Sequence, residues 1–371
     1  MATLNKSPRW RAPGRGLGCE AQSAAIAGAL ANVCNEATRP RPGCAAREGL
    51  VQRCLRWLLA ACGALVLAQA AHAAPAASAT PAASTASGAE LPAGADVAQR
   101  GCLALLPRLP RVEAALCRTL DLTAAPVRSV QGRVLLQRDV HTAGTEGEAR
   151  GDATHPRGRG APLRVLVVGA IHGDELSSAS VALHWLQLAA REGVQLARPV
   201  HWRFLPVLNP DGLVATPPRR TNANGVDLNR NFPTPGWARE APRYWEQRTR
   251  RDPRRWPGPA PLSEPESRYL HEQMEQFRPH LIVSIHAPYG VLDFDGPSVP
   301  PSRLGRLYLD QVGIYPGSLG NYGGVHKRVP VVTIELPNAL RTPLDAEVRQ
   351  MWLDLLRWMG ERLTQGLGEG S

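Results

Sequence analysis

The sequence has little cysteine in the part that we expect to fold. Five of its seven cysteines lie within the first 62 residues, which leaves only Cys102 and Cys117. These two are not at the spacing of metal ligands, so they do not predict a cysteine-ligated metal site. In an exported chain they predict one disulfide, and two buried free thiols are the alternative.

No apolar stretch in the sequence is long enough for a stable transmembrane helix. The run from Trp57 to about Ala71 is shorter than the roughly 20 residues that cross a bilayer. Two arginines precede this run and an Ala-His-Ala tripeptide at 71–73 follows it, which is the pattern of a signal peptide with its cleavage site. We therefore expect a periplasmic or secreted protein with no stable membrane span after residues 51–73 are removed.

The segment before the signal peptide is rich in Arg, Pro, Ala and Gly, which is unusual for a leader. We interpret residues 1–73 as the leader and expect translation to start near Val51, with a long atypical leader as the alternative. A lipoprotein signal at Leu59–Cys62 is a further alternative, although few apolar residues precede Cys62.

The sequence lacks a large excess of positive charge once the leader is set aside. The net charge is +11, and nine basic and three acidic residues in the first 73 positions contribute +6 of it, which leaves +5. A remainder of this size is weak evidence for nucleic-acid binding, and we expect no nucleic-acid partner. It is compatible with an anionic substrate, which a positive potential attracts.

Three segments are predicted after the leader. Residues 74–98 are rich in Ala, Ser, Thr and Pro, and we expect a disordered linker there. Residues 99–126 are predicted to form a short helical segment that carries Cys102 and Cys117. Residues 127–365 are predicted to form the main domain.

Strand and helix patterns alternate along the main domain. "PLRVLVVGA" is apolar on both faces, as in a central strand, and "LSSASVALHWLQLAAREG" after it has the pattern of an amphipathic helix. Ser263 is predicted to begin another helix as its N-cap, with Glu266 three residues on. The alternation predicts an α/β fold, a three-layer αβα sandwich around a mixed, mostly parallel central sheet.

Polar side chains follow four of the predicted strands. They are His172 and Glu175 after "RVLVVGA", Asn209 and Asp211 after "FLPVL", His286 after "LIVSI", and Glu335 after "VPVVTI". Ligands of open α/β sheets bind at the carboxyl ends of the strands. The sequence therefore predicts a site where these groups meet.

The histidine and carboxylate residues of this set suit one catalytic zinc ion per chain. Such an ion takes three ligands of these types and leaves one position open, and His172, Glu175 and His286 supply them. Zinc polarises a carbonyl and lowers the pKa of water, and Glu335 is the candidate for the base that the reaction then needs. Each residue alone has a structural alternative, but their concurrence at strand ends favours the metal site.

Two arginines lie in the loop "RRTNANGVDLNRNFP". A guanidinium group suits a carboxylate or a developing oxyanion, which makes Arg220 and Arg230 candidates for substrate binding. Two solvated loop arginines are the alternative.

Five short motifs occur in the order that zinc carboxypeptidases of the carboxypeptidase A superfamily show: "HGDE", "NPDG", "GVDLNRNFP", "SIHA" and "TIELP". The chain resembles this family from about Val127 to Leu363. Within it, "RTNANGVDLNRNFP", "SEPES" and "PGSLGNYGG" most resemble the bacterial murein peptide amidase A group. The resemblance implies a zinc peptidase domain at residues 127–365 that cuts the γ-D-glutamyl–diaminopimelate bond of cell-wall peptides.

The resemblance also implies a role for each candidate in the metal centre. His172, Glu175 and His286 resemble the zinc ligands of the family. Glu335 resembles its general base, which later protonates the leaving amine.

Further roles are implied for the loop residues. Arg220 resembles the residue that polarises the scissile carbonyl. Asn229 and Arg230 resemble the pair that binds the free carboxylate next to the cut bond.

The sequence departs from the family pattern at two places. Asp174 stands where digestive carboxypeptidases have an arginine, as it does in the amidase group. The mobile active-site tyrosine of the family has no clear counterpart, and Tyr315 is the nearest residue, with Tyr322 as the alternative.

Leu319 is expected to line the side-chain pocket of the substrate site. Because Leu319 is uncharged, the ionic end of diaminopimelate must be recognised elsewhere, and Asp293, Asp295 and Asp174 are the candidates.

Three alternative functions remain open. A general metallocarboxypeptidase would remove C-terminal residues from other small peptides, an acyl-amino-acid deacylase is a related branch, and an inactive wall-binding protein would keep the fold without the metal. "NPDG" and "TIELP" favour the peptidase over the deacylase. All matched catalytic positions are occupied, which argues against the inactive protein.

Overall fold

The computed structural model describes residues 93–143, 161–192 and 196–363. The predicted leader, with its signal peptide and its alternatives at Val51 and Cys62, lies outside the described residues. Within the described ranges, no helix combines the length and the apolar character that crossing a bilayer requires.

The secondary structure follows the predicted alternation. The helices are α1 (Ala93–Leu105), α2 (Ala114–Thr119), α3 (Leu176–Glu192), α4 (Pro210–Val214), α5 (Trp237–Gln247), α6 (Pro265–Phe277) and α7 (Asp345–Arg362). The strands are β1 (Thr123–Arg128), β2 (Val134–Thr142), β3 (Leu163–Val168), β4 (Val200–Leu205), β5 (Leu281–His286), β6 (Leu292–Asp295), β7 (Arg303–Leu304), β8 (Leu307–Tyr308) and β9 (Val331–Glu335). Three 3₁₀ turns (Leu106–Arg108, Leu228–Arg230 and Pro253–Arg255) and a π-helical segment (Gly320–His326) complete the described elements.

Seven strands form one sheet in the order β1-β2-β4-β3-β5-β9-β6. The four central strands, β4, β3, β5 and β9, are parallel to one another. The pairs β1–β2, β2–β4 and β6–β9 are antiparallel. The sheet is therefore mixed, with a parallel centre, as predicted.

Helices cover both faces of this sheet because its central strands are apolar on both faces. On β3, Val165 and Val167 pack into one core with side chains of α3 and α7, while Leu166 and Val168 pack into a second core with side chains of α6. This alternation follows from the period of two along a strand. Two cores on opposite faces of one sheet give the predicted three-layer αβα sandwich, which is confirmed.

The N-terminal part of the described chain differs from its predicted boundaries. Helix α1 begins at Ala93, inside the segment predicted to be a disordered linker, because its apolar residues pack into the core, where Ala98 is fully buried. Strand β1 begins at Thr123, inside the predicted helical segment, because it pairs with β2 at the edge of the sheet. Cys102 and Cys117 form a disulfide that joins α1 to α2.

Candidate active site

One cleft lies at the carboxyl ends of the parallel strands. Its lining includes His172, Glu175, Arg220, Arg230, His286 and Glu335. Strand β3 leads into the turn that carries the first two residues, β5 ends at His286, and β9 ends at Glu335. Because β5 and β9 are neighbours with His286 opposite Glu335 in register, the two side chains reach the same edge of the sheet.

Three buried side chains converge in this cleft. The His172 Nδ1 atom lies 2.7 Å from Glu175 Oε1 and 3.2 Å from His286 Nδ1. The His286 Nδ1 atom lies 3.0 Å from Glu175 Oε2. All three residues are at most 5% exposed. Burial alone would raise the pKa of the Glu175 carboxyl, but the two histidines beside it hold that pKa well below its ordinary range.

The other ring nitrogen of each histidine has an oxygen partner. His172 Nε2 lies 3.2 Å from Asp227 Oδ1, and His286 Nε2 lies 2.9 Å from Ser284 Oγ. A carboxylate accepts from an N–H, so Asp227 places the proton of a neutral His172 on Nε2. The lone pair of Nδ1 then faces the cleft, which is the arrangement of a metal-ligating histidine with an oriented tautomer.

Close backbone packing holds the turn that carries His172. Gly173 N–H donates to the carbonyl of Arg220, and a Cβ atom at Gly173 would overlap the backbone of Gly212 and Leu213. Only glycine fits at this approach between the turn and α4. The motif "HGDE" therefore needs its glycine to keep His172 in place.

Glu335 lines the cleft, and one of its oxygens has no hydrogen-bond partner among the described residues. The residue is 6% exposed, and its Oε2 atom is buried without a hydrogen bond. Burial raises the pKa of Glu335, and the Glu175 carboxylate adds to this rise, while His286 and His172 oppose it. A buried carboxylate with a free oxygen beside candidate metal ligands is in position to exchange protons with a substrate.

Arg220 is held at the cleft by the carboxylate that also contacts His172. Its Nε atom donates to Asp227 Oδ2 at 3.0 Å, and its Nη1 atom lies 3.2 Å from His172 Nδ1. A second oxygen, Glu175 Oε1, lies 3.7 Å from the same Nη1. The guanidinium group is thus oriented toward the histidine and carboxylate cluster.

Arg230 and Asn229 line a neighbouring part of the cleft. Arg230 is 5% exposed, and its guanidinium group lies 4.3 Å from the ring centre of Tyr315. Its Nε atom has no hydrogen-bond partner in the described part of the chain. Asn229 Oδ1 accepts from the N–H of Leu319 at 2.8 Å. These contacts leave a donor-rich surface that suits a substrate carboxylate.

The two tyrosines and Leu319 lie in different surroundings. Tyr315 lines the cleft, and its hydroxyl donates to the carbonyl of Val312 at 2.6 Å. Tyr322 is 3% exposed and packs on Phe232 in the core. Leu319 is 1% exposed, and its side chain packs in that same core and is not among the side chains that line the cleft. Its backbone N–H donates to the cleft residue Asn229.

The polar pair after β4 is structural. Asn209 caps α4 by accepting from Gly212 N–H and also donates to the carbonyl of Arg220. Asp211 accepts from Ser129 Oγ and from Arg133 at 2.7–2.8 Å, away from the cleft. These two residues hold the loops behind the site and are not among the candidate ligands.

The sequence matches the model of the zinc carboxypeptidase family over residues 125–293. It is 33% identical over 181 residues to murein peptide amidase A of Vibrio campbellii, and this alignment covers 47% of this chain and 69% of the relative. It is 30% identical over 200 residues to murein peptide amidase A of Escherichia coli K12, and this alignment covers 52% of this chain and 79% of the relative. This chain belongs to the zinc carboxypeptidase family.

Among solved structures, the chain aligns with murein-tripeptide amidase of Escherichia coli O157 at a TM-score of 0.42 and 24% identity. That alignment covers 62% of this chain and 90% of the other.

The converging residues fit the metal that the family name implies. Ligand atoms about 2 Å from one tetrahedral ion lie roughly 3.3 Å apart, and the measured separations are 2.7, 3.0 and 3.2 Å. One ligand atom from each of His172, Glu175 and His286 lies within 4.8 Å of the others. Two imidazoles and one carboxylate also form a donor set that zinc uses in catalytic sites.

Sequence reasoning missed Asp227, whose carboxylate contacts both His172 and Arg220. The residue was inside a quoted motif, "GVDLNRNFP", but no role was predicted for it. Asp227 is fully buried, and its proximity to His172 and Arg220 keeps its carboxyl pKa well below the ordinary range although burial alone would raise it. The sequence signal that could have indicated this role is that Asp227 is the one acidic residue in the otherwise apolar stretch "GVDL".

Proposed function

We propose that this chain hydrolyses an amide bond in murein peptides, as a zinc metallopeptidase with one zinc ion per chain. One observation carries the proposal. A buried cluster with a zinc-type donor set shares its cleft with Glu335, whose Oε2 atom has no hydrogen-bond partner among the described residues, and with two oriented cations, Arg220 and Arg230. Hydrolysis of an amide next to a free carboxylate needs each of these groups.

The zinc ion would be held by His172 Nδ1, His286 Nδ1 and the Glu175 carboxylate. A bound zinc ion supplies a Lewis acid that polarises a carbonyl and lowers the pKa of water toward about 7. Asp227 and Ser284 contribute by holding the two imidazole rings with Nδ1 toward the cleft.

Glu335 would move the protons of the reaction. Its free Oε2 atom takes a proton from the attacking water and then gives that proton to the nitrogen of the leaving amine. Because the residue ends β9, directly opposite His286, its position is fixed by the sheet and not by a loop.

The two arginines would divide the negative charge of the substrate between them. Arg220 lies beside the histidine cluster, where it can stabilise the charge that develops on the scissile carbonyl oxygen. Arg230 and Asn229 lie farther along the cleft, where they can bind the free carboxylate of the leaving residue.

The relatives and the sequence support murein peptides as the substrate class. Both curated relatives carry the name murein peptide amidase A. Asp174 lines the cleft at the place where digestive carboxypeptidases have an arginine, which favours the amidase group. The γ-D-glutamyl–diaminopimelate bond also leaves a carboxylate on the leaving residue, as Arg230 requires.

Export to the periplasm or outside the cell is part of the proposal. The signal-peptide pattern at residues 51–73 supports it, and so does the Cys102–Cys117 disulfide, because such bonds persist in oxidising compartments. Sequencing the N-terminus of the exported protein tests it, and we expect a mature chain that begins after Ala73.

The substrate claim is tested with the purified protein and two kinds of peptide. We expect L-Ala–γ-D-Glu–diaminopimelate to be cut at the γ-glutamyl bond and hippuryl amino acids to be cut slowly. Metal analysis should find one zinc ion per chain, and a chelator should remove zinc and activity together. Cleavage of the hippuryl compounds alone would make the chain a general carboxypeptidase.

A further inference from the structure

An apolar groove lies beside the cleft and has no part in the reaction proposed above. Three prolines and two tryptophans supply most of its lining, and we call it the tryptophan groove: Pro217, Pro218, Trp245, Pro253 and Trp256. Its volume is about 560 Å³, which lies within the range of sites that bind small molecules. An apolar surface that a chain leaves open in this way is typical of a place where a ligand binds.

Local contacts hold the two tryptophans of the groove in place. Trp245 belongs to α5, and its Nε1–H donates to the carbonyl of Asp252 at 2.7 Å. Asp252 caps the 3₁₀ turn Pro253–Arg255, which Trp256 follows directly. Both tryptophans are partly buried, so each indole is fixed by its neighbours and keeps part of its surface open to a ligand.

The groove is joined to the candidate active site through Asp227. The N–H of Asp227 donates to the carbonyl of Trp256 at 2.8 Å, and the Asp227 carboxylate holds Arg220 and contacts His172. Arg220 lines both the cleft and the groove, and so does Arg254. The cleft and the groove are therefore continuous, and a ligand in the cleft can extend into the groove.

The residues that line the groove indicate which end of a substrate reaches it. Asn229 and Arg230, which are proposed to bind the carboxylate of the leaving residue, are not among the described residues of its lining. Arg220, which is proposed to stabilise the scissile carbonyl, does line it. A peptide whose leaving residue contacts Arg230 and whose carbonyl contacts Arg220 continues away from Arg230. The groove therefore faces the part of the substrate that precedes the cut bond.

In intact murein, the part of the peptide that precedes the cut bond begins at a sugar. L-Alanine precedes the γ-D-glutamyl residue, and its nitrogen is joined through a lactyl group to a muramic acid ring. The proposed export would place this chain where peptides still carry that sugar. A sugar ring has apolar C–H faces, which pack on an indole face, and a rim of hydroxyl groups that needs hydrogen-bond partners.

The groove offers both kinds of surface that a sugar ring requires. Its prolines and indoles supply apolar faces. The Nε1–H of Trp256 has no hydrogen-bond partner among the described residues, and the guanidinium group of Arg219, which also lines the groove, forms no ion pair with them. Donors for the hydroxyl oxygens of a ligand therefore remain beside the apolar faces.

We propose that the tryptophan groove binds the muramyl sugar that is attached to the peptide substrate. The inference rests on the proposed amidase function and export, which supply the peptide and its orientation. It makes Trp245 and Trp256 binding residues for a glycan-linked peptide, a ligand larger than the free tripeptide.

Three capped peptides test this assignment, each with L-Ala–γ-D-Glu–diaminopimelate after an N-acetylmuramyl, a lactyl or a hexanoyl group. All three caps remove the charge of the N-terminus. The lactyl peptide lacks only the sugar, and the hexanoyl peptide carries an apolar group in its place. We expect the kcat/KM of the muramyl peptide to exceed that of the lactyl peptide by about tenfold, mainly through a lower KM, and that of the hexanoyl peptide by at least about threefold.

Removal of either indole should lower this preference. In Trp245→Ala, and independently in Trp256→Ala, the kcat/KM ratio of muramyl to lactyl peptide should fall by about threefold or more. Trp256→Phe keeps an aromatic face and should retain most of the ratio. Tyr308→Ala is the control, because Tyr308 is an exposed aromatic residue that lines neither the cleft nor the groove, and it should keep the ratio of the unsubstituted protein. Thermal unfolding of each variant verifies that it is folded.

Binding to the Glu335→Gln variant gives the same comparison without turnover and without a change in the groove. Calorimetry should show about tenfold tighter binding of the muramyl peptide than of the lactyl peptide. Equal kcat/KM and equal affinity for these two peptides would overturn the assignment, as would an equal gain from the hexanoyl group or an unchanged ratio in both Trp245→Ala and Trp256→Ala. If neither the capped peptides nor the free tripeptide is cut, the proposed function fails, and calorimetry still decides whether the groove binds the sugar.

Discussion

Asp227 contacts a candidate metal ligand with one oxygen and an arginine that lines the cleft with the other. Its Oδ1 atom lies 3.2 Å from His172 Nε2, and its Oδ2 atom accepts from Arg220 Nε at 3.0 Å. One fully buried carboxylate therefore fixes the tautomer of an imidazole and the direction of a guanidinium group. Metal affinity and carbonyl stabilisation should both depend on it.

We expect Asp227→Asn to weaken zinc binding by roughly 10- to 100-fold, because the imidazole loses the carboxylate that orients it and raises its basicity. Turnover should fall as well, since Arg220 loses its ion pair. Zinc affinity is measured by competition with a chromogenic chelator. Asp211→Asn is the matched control, because Asp211 is also buried and paired but lies outside the cleft. The Asp211→Asn variant should have a lower free energy of unfolding and an unchanged zinc affinity. Equal zinc affinity in the two variants would contradict the role of Asp227.

Glu335→Gln keeps the size of the side chain and removes its ability to accept a proton. We expect kcat to fall by about 100- to 10,000-fold, while the zinc content stays at one ion per chain. The measurements are steady-state kinetics on the murein tripeptide and metal analysis of the same sample. A kcat within tenfold of the unsubstituted value would show that another group is the base.

The convergence of the three candidate metal ligands could be predicted from the sequence because they follow apolar strands directly. The end of β3 places His172 and Glu175 at the sheet edge, and the end of β5 places His286 there. Asp227 could not be placed in the same way. It lies in a loop, 55 residues from His172 along the chain, and no local pattern says which residue such a loop approaches.

Helices and strands could be predicted from the sequence where the periodicity of apolar residues was strong. Their first and last residues were harder to predict. Ser263 was expected to cap α6, but the N-cap is Glu264, because Pro265 occupies the first helical position and the Ser263 hydroxyl instead donates to Glu264. Helix α1 was missed at its start because its composition, rich in Ala and Gly, resembles that of the linker before it. Tertiary packing determines whether such a segment is helical, and this packing cannot be read from amino-acid composition.

The Cys102–Cys117 disulfide should contribute to stability and not to catalysis. It joins two cysteines that are 15 residues apart, for which loop-closure entropy gives about 3 kcal/mol. We expect the double variant Cys102→Ala/Cys117→Ala to lose roughly this much unfolding free energy in urea. Neither residue lines the cleft, so kcat/KM at low temperature should be retained. The unsubstituted protein under reducing conditions should behave like the variant, and equal stability with and without reductant would contradict the prediction.

His280 should make folding stability depend on pH at the end of the sheet opposite the cleft. Its Nδ1 atom accepts from the backbone N–H of Arg164 at 2.9 Å, and burial together with Arg164 and Arg198 lowers its pKa to about 4. The unfolded value is about 6.5, so between these two values the unfolded chain binds more protons than the folded one. The contribution of neutral His280 is therefore complete above about pH 6.5 and is lost as the pH falls toward 4.

His280→Asn keeps an acceptor near the position of Nδ1 and removes the titration. The free energy of unfolding, measured in urea from pH 7 to pH 4, should fall more steeply for the unsubstituted protein than for the variant. The difference between the two should change within the window between pH 6.5 and 4, and NMR titration of the ring should report the lowered pKa directly. A difference that stays constant across this window would show that His280 is protonated equally in the folded and unfolded chains, and the Arg164 contact would then have no part in the acid sensitivity of the fold.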